Sequence, residues 1–307
     1  NDTLAKNILI RQKMTVENIP PNPERDRALA AAYGRDFRIY TSRHFRIAYD
    51  TDEDYARERS ILLETLYEQF YRHFDRLGLE PKFLEDRLEV VLFKNRQEYA
   101  AFAGAIAPAL AQSGGFYSTT DNRSFFFDAT GGPEFAAAER QYATCMRQLQ
   151  TFRNQVSIQS GSTRFEVTGA DGERRIMSRD GLRRYIAELQ QKATAQWQAF
   201  QAARQELNAS VTLHECAHQL AFNLGIHPRA ESTPRWLAEG IATFFEKTTI
   251  SRQAKATGEN AEWSKSIRER LPQAPPLRQL LNAEETFLRF DQATETAYAQ
   301  SWALFRF

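Results

Sequence analysis

Cysteine is nearly absent, Cys145 and Cys216 being the whole complement of a chain of 307 residues. That excludes a disulfide framework, and a chain this long can bury a stabilising core without one. Net charge is also lacking. Forty lysines and arginines meet thirty-nine aspartates and glutamates, so nothing draws the chain toward nucleic acid or anionic lipid, and no nucleic-acid partner is expected. A long apolar run is missing as well. The stretch from Ala100 to Ala111 contains Pro108 and is too short to span a bilayer, so it reads as a buried helix and turn, with no membrane span. There is no solenoid-length repeat and no low-complexity segment.

The chain opens on Asn1 without a charged-then-apolar leader, as when a signal peptide has been removed or was never included. Tyr298 to Phe307 reads as an apolar helix with no Gly, Asn or Pro to stop it, so the natural chain is expected to continue. The compartment stays open, with a secreted or periplasmic setting ahead of a cytoplasmic one, and the oligomeric state is not legible.

What is present falls into four blocks and an α+β pattern. Residues 1–35, turn-rich around Pro20, Pro21 and Pro23, read as an N-terminal arm. Residues 36–130 read as an upper α/β subdomain. In it Phe37 to Tyr49 is β-rich, and Asp54 to Leu77 sets Ile61, Leu62, Leu66, Phe70 and Phe74 at helical spacing. Leu88 to Phe93 suits a buried strand, and Gly115 to Ser118 with Ser124 to Asp128 suggest a hairpin. After Gly131-Gly132-Pro133, residues 131–208 read as a helix, hairpin, helix insertion. Residues 209–307 read as a helical subdomain: Leu213, Ala217, Leu220, Ala221 and Leu224 form a stripe that Gly225 and Pro228 end, and the next helix starts with Thr233 as cap and Pro234 at its first position, running to about Lys247.

The chemistry concentrates in His214-Glu215-Cys216-Ala217-His218, an HExxH sequence on the first of these helices. Four residues are slightly more than one turn, so both imidazoles stand on one face and can share one ion. Glu215 is rotated away from them and can serve as a general base toward water. A catalytic zinc usually takes a third protein ligand, and Glu239 in Trp236-Leu237-Ala238-Glu239-Gly240, one helix downstream, is the choice. Thr243, four residues beyond on the same face, is a candidate support behind the ligands. His227 is the rival third ligand. The extended metzincin pattern, however, needs Gly and His where this chain has Ala221 and Leu224.

HECAH followed by TPRWLAEGIATFFE resembles the gluzincins, in particular small peptidase-MA-like bacterial families with WLxEGxA after HExxH. HFRIAYD, GGFYS, RSFFFD, PPLRQLL and AYAQSWALFRF resemble a largely uncharacterised family of that clan, so the likeness covers most of the chain outside the insertion. It implies a gluzincin-like zincin fold, with a small mixed sheet over a helical subdomain, and one Zn2+ per chain on His214, His218 and Glu239. It further implies Glu215 as general base, a peptide or protein substrate, and amide hydrolysis. By the same resemblance Gly115, Phe116 and Tyr117 form the strand edge that pairs with substrate backbone, and Tyr298 is the residue that stabilises the oxyanion. Ala238 stands where thermolysin-like enzymes carry Asn, which sets the chain apart from that branch. No GxMEN-like segment is present to hold a free amino terminus, which favours an endopeptidase.

Plainer readings stand beside these. HExxH can occur by chance on an exposed helix, although five histidines in the chain make a fortuitous pair at this spacing uncommon. A closed structural zinc would favour cysteine ligands, and Cys216 points off the histidine face. Tyr298, Phe116 and Tyr117 can equally be packing aromatics. Glu246 suits an ion pair better than ligation. The alternative function is a catalytically silent, zinc-containing protein-binding module.

Overall fold

The computed structural model describes residues 19–130, 133–158, 163–168, 172–206, 209–228, 233–247, 258–270, 272, 274–282, 284–288 and 291–307. Part of the expected arm is helical: α1 spans Pro23–Tyr33. The prolines that suggest turns are a helix start. Asn22 caps it by accepting from the Arg25 N–H at 3.1 Å, and Pro23 sits where no backbone donor is needed. Residues 1–18 of the arm, and the turn at Gly131-Gly132, lie outside the described residues.

The fold is α+β, built on a five-stranded mixed sheet. β1 (Arg38–Thr41) and β2 (Phe45–Tyr49) form a hairpin, β3 (Leu88–Phe93) joins β2 in parallel, and β4 (Gly115–Ser118) pairs antiparallel with β5 (Arg123–Phe127). The order is β1-β2-β3-β5-β4, with β5 parallel to β3 and β4 at the edge. Every residue of β2 and β3 is buried, as expected of strands covered on both faces.

One face is covered by α2 (Glu53–Arg76), which buries Leu62, Leu63, Leu66, Phe70 and Phe74. Ile61, expected in that stripe, is 46% exposed; Leu63 takes the inward place. The helix-and-turn reading of Ala100 to Ala111 gives α3 (Arg96–Ile106) and a 3-10 turn at Pro108–Gln112, but only Tyr99 and Ala103 of α3 are buried. Its alanines are small enough for a half-exposed face.

A charge ladder crosses the sheet. Register aligns Arg46 of β2 with Glu89 of β3 and Glu89 with Arg123 of β5. The Glu89 carboxylate accepts from Arg123 Nε at 2.6 Å and from Arg25 Nε of α1 at 2.5 Å, and it lies 3.5 Å from Nη1 of the fully buried Arg46. Asp26 pairs with Arg46 Nε. Three guanidinium groups therefore share one carboxylate that is 3% exposed, with Asp86 adding a second partner for Arg25 and Arg46. Removing one partner of a buried ion pair leaves uncompensated charge and costs about 3–5 kcal/mol. Glu89→Ala should lower stability on that scale in urea denaturation, and a change within 0.5 kcal/mol would refute the ladder's role.

The insertion is a compact unit of its own, Ala129–Leu207. It contains α4 (Pro133–Ile158), a hairpin of β6 (Arg164–Thr168) and β7 (Arg174–Ser178), and α5 (Arg179–Glu206). Leu149, Phe152, Phe165, Val167, Leu182 and Ile186 form its core, and Tyr142 stacks on Trp197 along a groove of about 780 Å³.

The rest of the chain forms the second unit. Here the expected separation into upper and lower subdomains gives way to one core, because α2 packs against both the sheet and α6 (Ala209–Asn223). α6 ends at Asn223, and the chain turns away at Gly225, whose φ of +72° suits glycine. α7 (Arg235–Phe245), α8 (Ala261–Arg270), α9 (Leu277–Leu280) and α10 (Gln292–Arg306) complete the unit. α7 begins one residue later than expected: the Pro234 carbonyl accepts from the Leu237 and Ala238 N–H groups, so Pro234 is the N-cap, and no side chain caps the helix. Among the described residues no helix is long and apolar enough to cross a membrane.

Candidate metal centre

The helix carrying HExxH is buried along Leu213, Cys216, Ala217, Leu220 and Ala221, and this apolar face fixes its roll. His214 and His218, one turn apart on the flank of that face, keep 12% and 17% of their side chains exposed. α7 packs against α6 and brings Glu239 to both. His214 Nε2 lies 3.0 Å and His218 Nε2 3.3 Å from Glu239 Oε2, and the two imidazole nitrogens are 3.2 Å apart. These three residues are the group among the described ones whose ligand atoms converge closely enough to hold a metal ion. Gly240, beside Glu239, is required by packing: a Cβ there would stand 2.7 Å from the Ser301 carbonyl of α10.

The tautomers make this triangle informative. His214 Nδ1 faces Glu246 Oε1 at 2.8 Å; when the ring is neutral with its proton on Nδ1, Nε2 offers a lone pair toward His218 and Glu239. In that form His214 Nε2 and Glu239 Oε2, 3.0 Å apart, are both acceptors, and a cation or a proton between them satisfies both. Donors about 2.0–2.1 Å from a tetrahedral ion stand about 3.3–3.4 Å apart, close to the observed edges. Burial disfavours the charged imidazolium, yet the hydrogen bonds it donates to Glu239 and Glu246 outweigh that cost and raise the His214 pKa well above the usual value. Glu239 is also penalised by burial, but the two histidines hold its pKa far below the ordinary carboxylate range. The pocket is thus built for positive charge.

Glu215 stands apart from the triangle. Its Oε2 accepts from the Tyr117 N–H of β4 at 2.9 Å, and withdrawal from water raises its pKa despite the nearby histidines. Tyr117 N–H therefore points away from β5, on the open side of the edge strand. Gly115 lies on the same strand, while the Phe116 ring is buried and stacked on Phe125 at 4.8 Å, so that side chain belongs to the core. The Tyr117 hydroxyl donates to Asn122 Oδ1.

Tyr298 of α10 lies beside His214, with ring centroids 5.9 Å apart. Burial and the Glu239 and Glu215 charges push its phenol pKa far up, which keeps it a proton donor. Thr243 meets Glu239 at its backbone carbonyl rather than at the carboxylate. Its hydroxyl donates to the carbonyls of Glu239 and Gly240 in its own helix, the usual fate of a threonine inside a helix. Behind His214 stands Glu246, three residues further on. His227 lies in the loop beyond Gly225 with Nδ1 3.0 Å from the Pro228 carbonyl and is not part of the cluster. Cys216 is fully buried and likewise outside it.

Sequence reasoning also passed over a polar stripe at positions 215, 219 and 223. Gln219 Nε2 donates to the carbonyls of Asn122 at 2.8 Å and Glu89 at 3.1 Å, its Oε1 accepts from Ser124, and Asn223 exchanges side-chain hydrogen bonds with Asn122. Asn122 sits in the β4–β5 turn at φ +56°, a conformation Asn tolerates better than most residues. Spacing of four along an otherwise apolar helix was the available signal. The stripe pins α6 to the hairpin and so sets where Glu215 meets the edge strand.

A family model described as a protein of unknown function (DUF1570) matches residues 208–307, the part of the chain that carries the triangle. No curated protein matches the chain.

Proposed function

We propose that this chain is a zinc-dependent peptidase of the gluzincin kind that hydrolyses internal peptide bonds. The observation that carries the reading is the convergence of two imidazole nitrogens and one carboxylate oxygen, 3.0–3.3 Å apart, on a space that calls for a cation. Two neutral nitrogen donors and one anionic oxygen suit zinc in a site that keeps a position for substrate or water. When bound, zinc would supply Lewis acidity toward water and toward the substrate carbonyl.

The chain's own groups supply the rest. Glu215, with its pKa raised by burial, accepts the proton of the attacking water and returns it to the leaving amine. The Tyr298 hydroxyl, kept protonated, donates to the oxygen on which negative charge develops. β4 is the outer strand of the sheet, and an extended peptide would add beside it as a further strand, displacing the Tyr117 N–H from Glu215, so backbone is recognised before side chains. Gly115 to Ser118 carries no acidic group to bind a free amino terminus, which favours cleavage inside a chain.

A library of peptides blocked at both ends, read by mass spectrometry, tests this. Internal cleavage is expected from zinc-loaded protein, lost on chelation and restored by zinc. A zinc-loaded protein that cleaves no member would favour the silent binding module instead.

A further inference from the structure

Glu246 ends α7, with the residue 8% exposed. A carboxylate is disfavoured there twice over, by burial and by the negative end of the helix dipole. Three donors offset this. His214 Nδ1 holds Oε1 at 2.8 Å, while Trp263 Nε1 donates to Oε2 at 2.6 Å and Asn260 Nδ2 approaches the same oxygen at 3.3 Å. Trp263 and Asn260 come as one unit, since the Asn260 side-chain oxygen accepts from the Glu262 and Trp263 N–H groups and caps α8. The indole of Trp263 also stacks on the Tyr298 ring, at 6.1 Å between centroids and 16° between planes, and Tyr298 in turn flanks His214.

We propose that Trp263 is a positioning residue for the metal centre. Its N–H anchors the outer oxygen of Glu246, so that the inner oxygen keeps His214 protonated at Nδ1 and turned with Nε2 toward the ion. Its ring face holds the Tyr298 phenol beside the same histidine. α8, which contributes no ligand, thereby sets both the metal affinity and the place of the oxyanion donor. This rests on the zinc reading above.

The chemistry predicts a specific pattern. Loss of a hydrogen-bond partner behind a ligating histidine typically weakens metal binding 10–100-fold. Trp263→Phe keeps an aromatic ring against Tyr298 and deletes only the donor, so zinc affinity measured by chelator competition should fall about 10-fold or more. In a Glu246→Gln background the same substitution should have little further effect, because the indole acts through that carboxylate. Cobalt(II) in place of zinc should show a shifted visible spectrum in Trp263→Phe. Asn260→Ser, which retains a cap for α8 but loses the amide donor, should weaken zinc in the same direction and serves if Trp263→Phe does not fold.

Wild-type affinity in both Trp263→Phe and Asn260→Ser, or an effect of Trp263→Phe that adds in full to Glu246→Gln, would overturn the proposal while the metal site stands. Wild-type protein that binds zinc no better than His214→Ala would instead overturn the site itself.

Discussion

Glu215→Gln is expected to lower peptide hydrolysis by about 10²–10⁴-fold, the usual worth of a positioned general base, while zinc content stays at the wild-type level. The two readouts separate because Glu215 lies outside the ligand triangle and is hydrogen bonded to the Tyr117 N–H of the edge strand. An amide at position 215 is isosteric and can still accept from that N–H through its carbonyl oxygen. It cannot take a proton from water at neutral pH. The loss should therefore fall on kcat, with KM changed little, since an interaction made only on the way to the transition state is the one removed. Hydrolysis by Glu215→Gln at more than a third of the wild-type kcat, with zinc bound, would exclude Glu215 as the base.

How far the sequence discloses this arrangement depends on the reach of each signal. Leu88 to Phe93 is legible as a strand because a short run with five apolar residues out of six, buried on both faces, has few other uses. The insertion is legible because helical spacing begins after Gly131-Gly132-Pro133 and resumes after the short β-like pieces, and its compact unit, Ala129–Leu207, begins two residues before the expected boundary. α1 is obscured by its flanking prolines and by a weak stripe that buries only Leu29. The triangle is legible from spacing and motif together, but what stands behind it is not.

Positions four and seven beyond Glu239 share a helix face, and spacing alone cannot rank Thr243 against Glu246. Side-chain reach decides. The short Thr243 hydroxyl finds its own helix's carbonyls, while the long Glu246 side chain at the helix end extends to His214. The partners of Glu246 come from α8, and Trp263 lies 17 residues away in sequence. Nothing local in the sequence announces a contact of that kind, since it depends on how α8 and α10 pack together.

Glu239→Ala is expected to weaken zinc binding by more than the 10–100-fold that partners behind a ligand contribute, because it deletes the anionic ligand itself. The wild-type triangle sets one carboxylate oxygen 3.0 and 3.3 Å from the two imidazole nitrogens. Without it the nitrogens remain 3.2 Å apart on one helix, a pair able to hold a metal only loosely. Glu239→Gln separates charge from shape: it keeps an oxygen at the same reach, lacks the negative charge, and should fall between wild type and Glu239→Ala. Thermal unfolding offers a second readout. Ligand present at about 1,000 times its Kd stabilises a folded protein by about 4 kcal/mol, so added zinc should raise the melting temperature of the wild type clearly and that of Glu239→Ala hardly at all. The metal-free Glu239→Ala protein should itself be less stable than metal-free wild type, because the buried carboxylate is paired with His214 and His218 without an ion, so each zinc shift is read against its own metal-free protein. Zinc affinity in Glu239→Ala within a few-fold of wild type, with an equal melting shift, would remove this carboxylate from the ligand set and leave His214 and His218 in need of another partner.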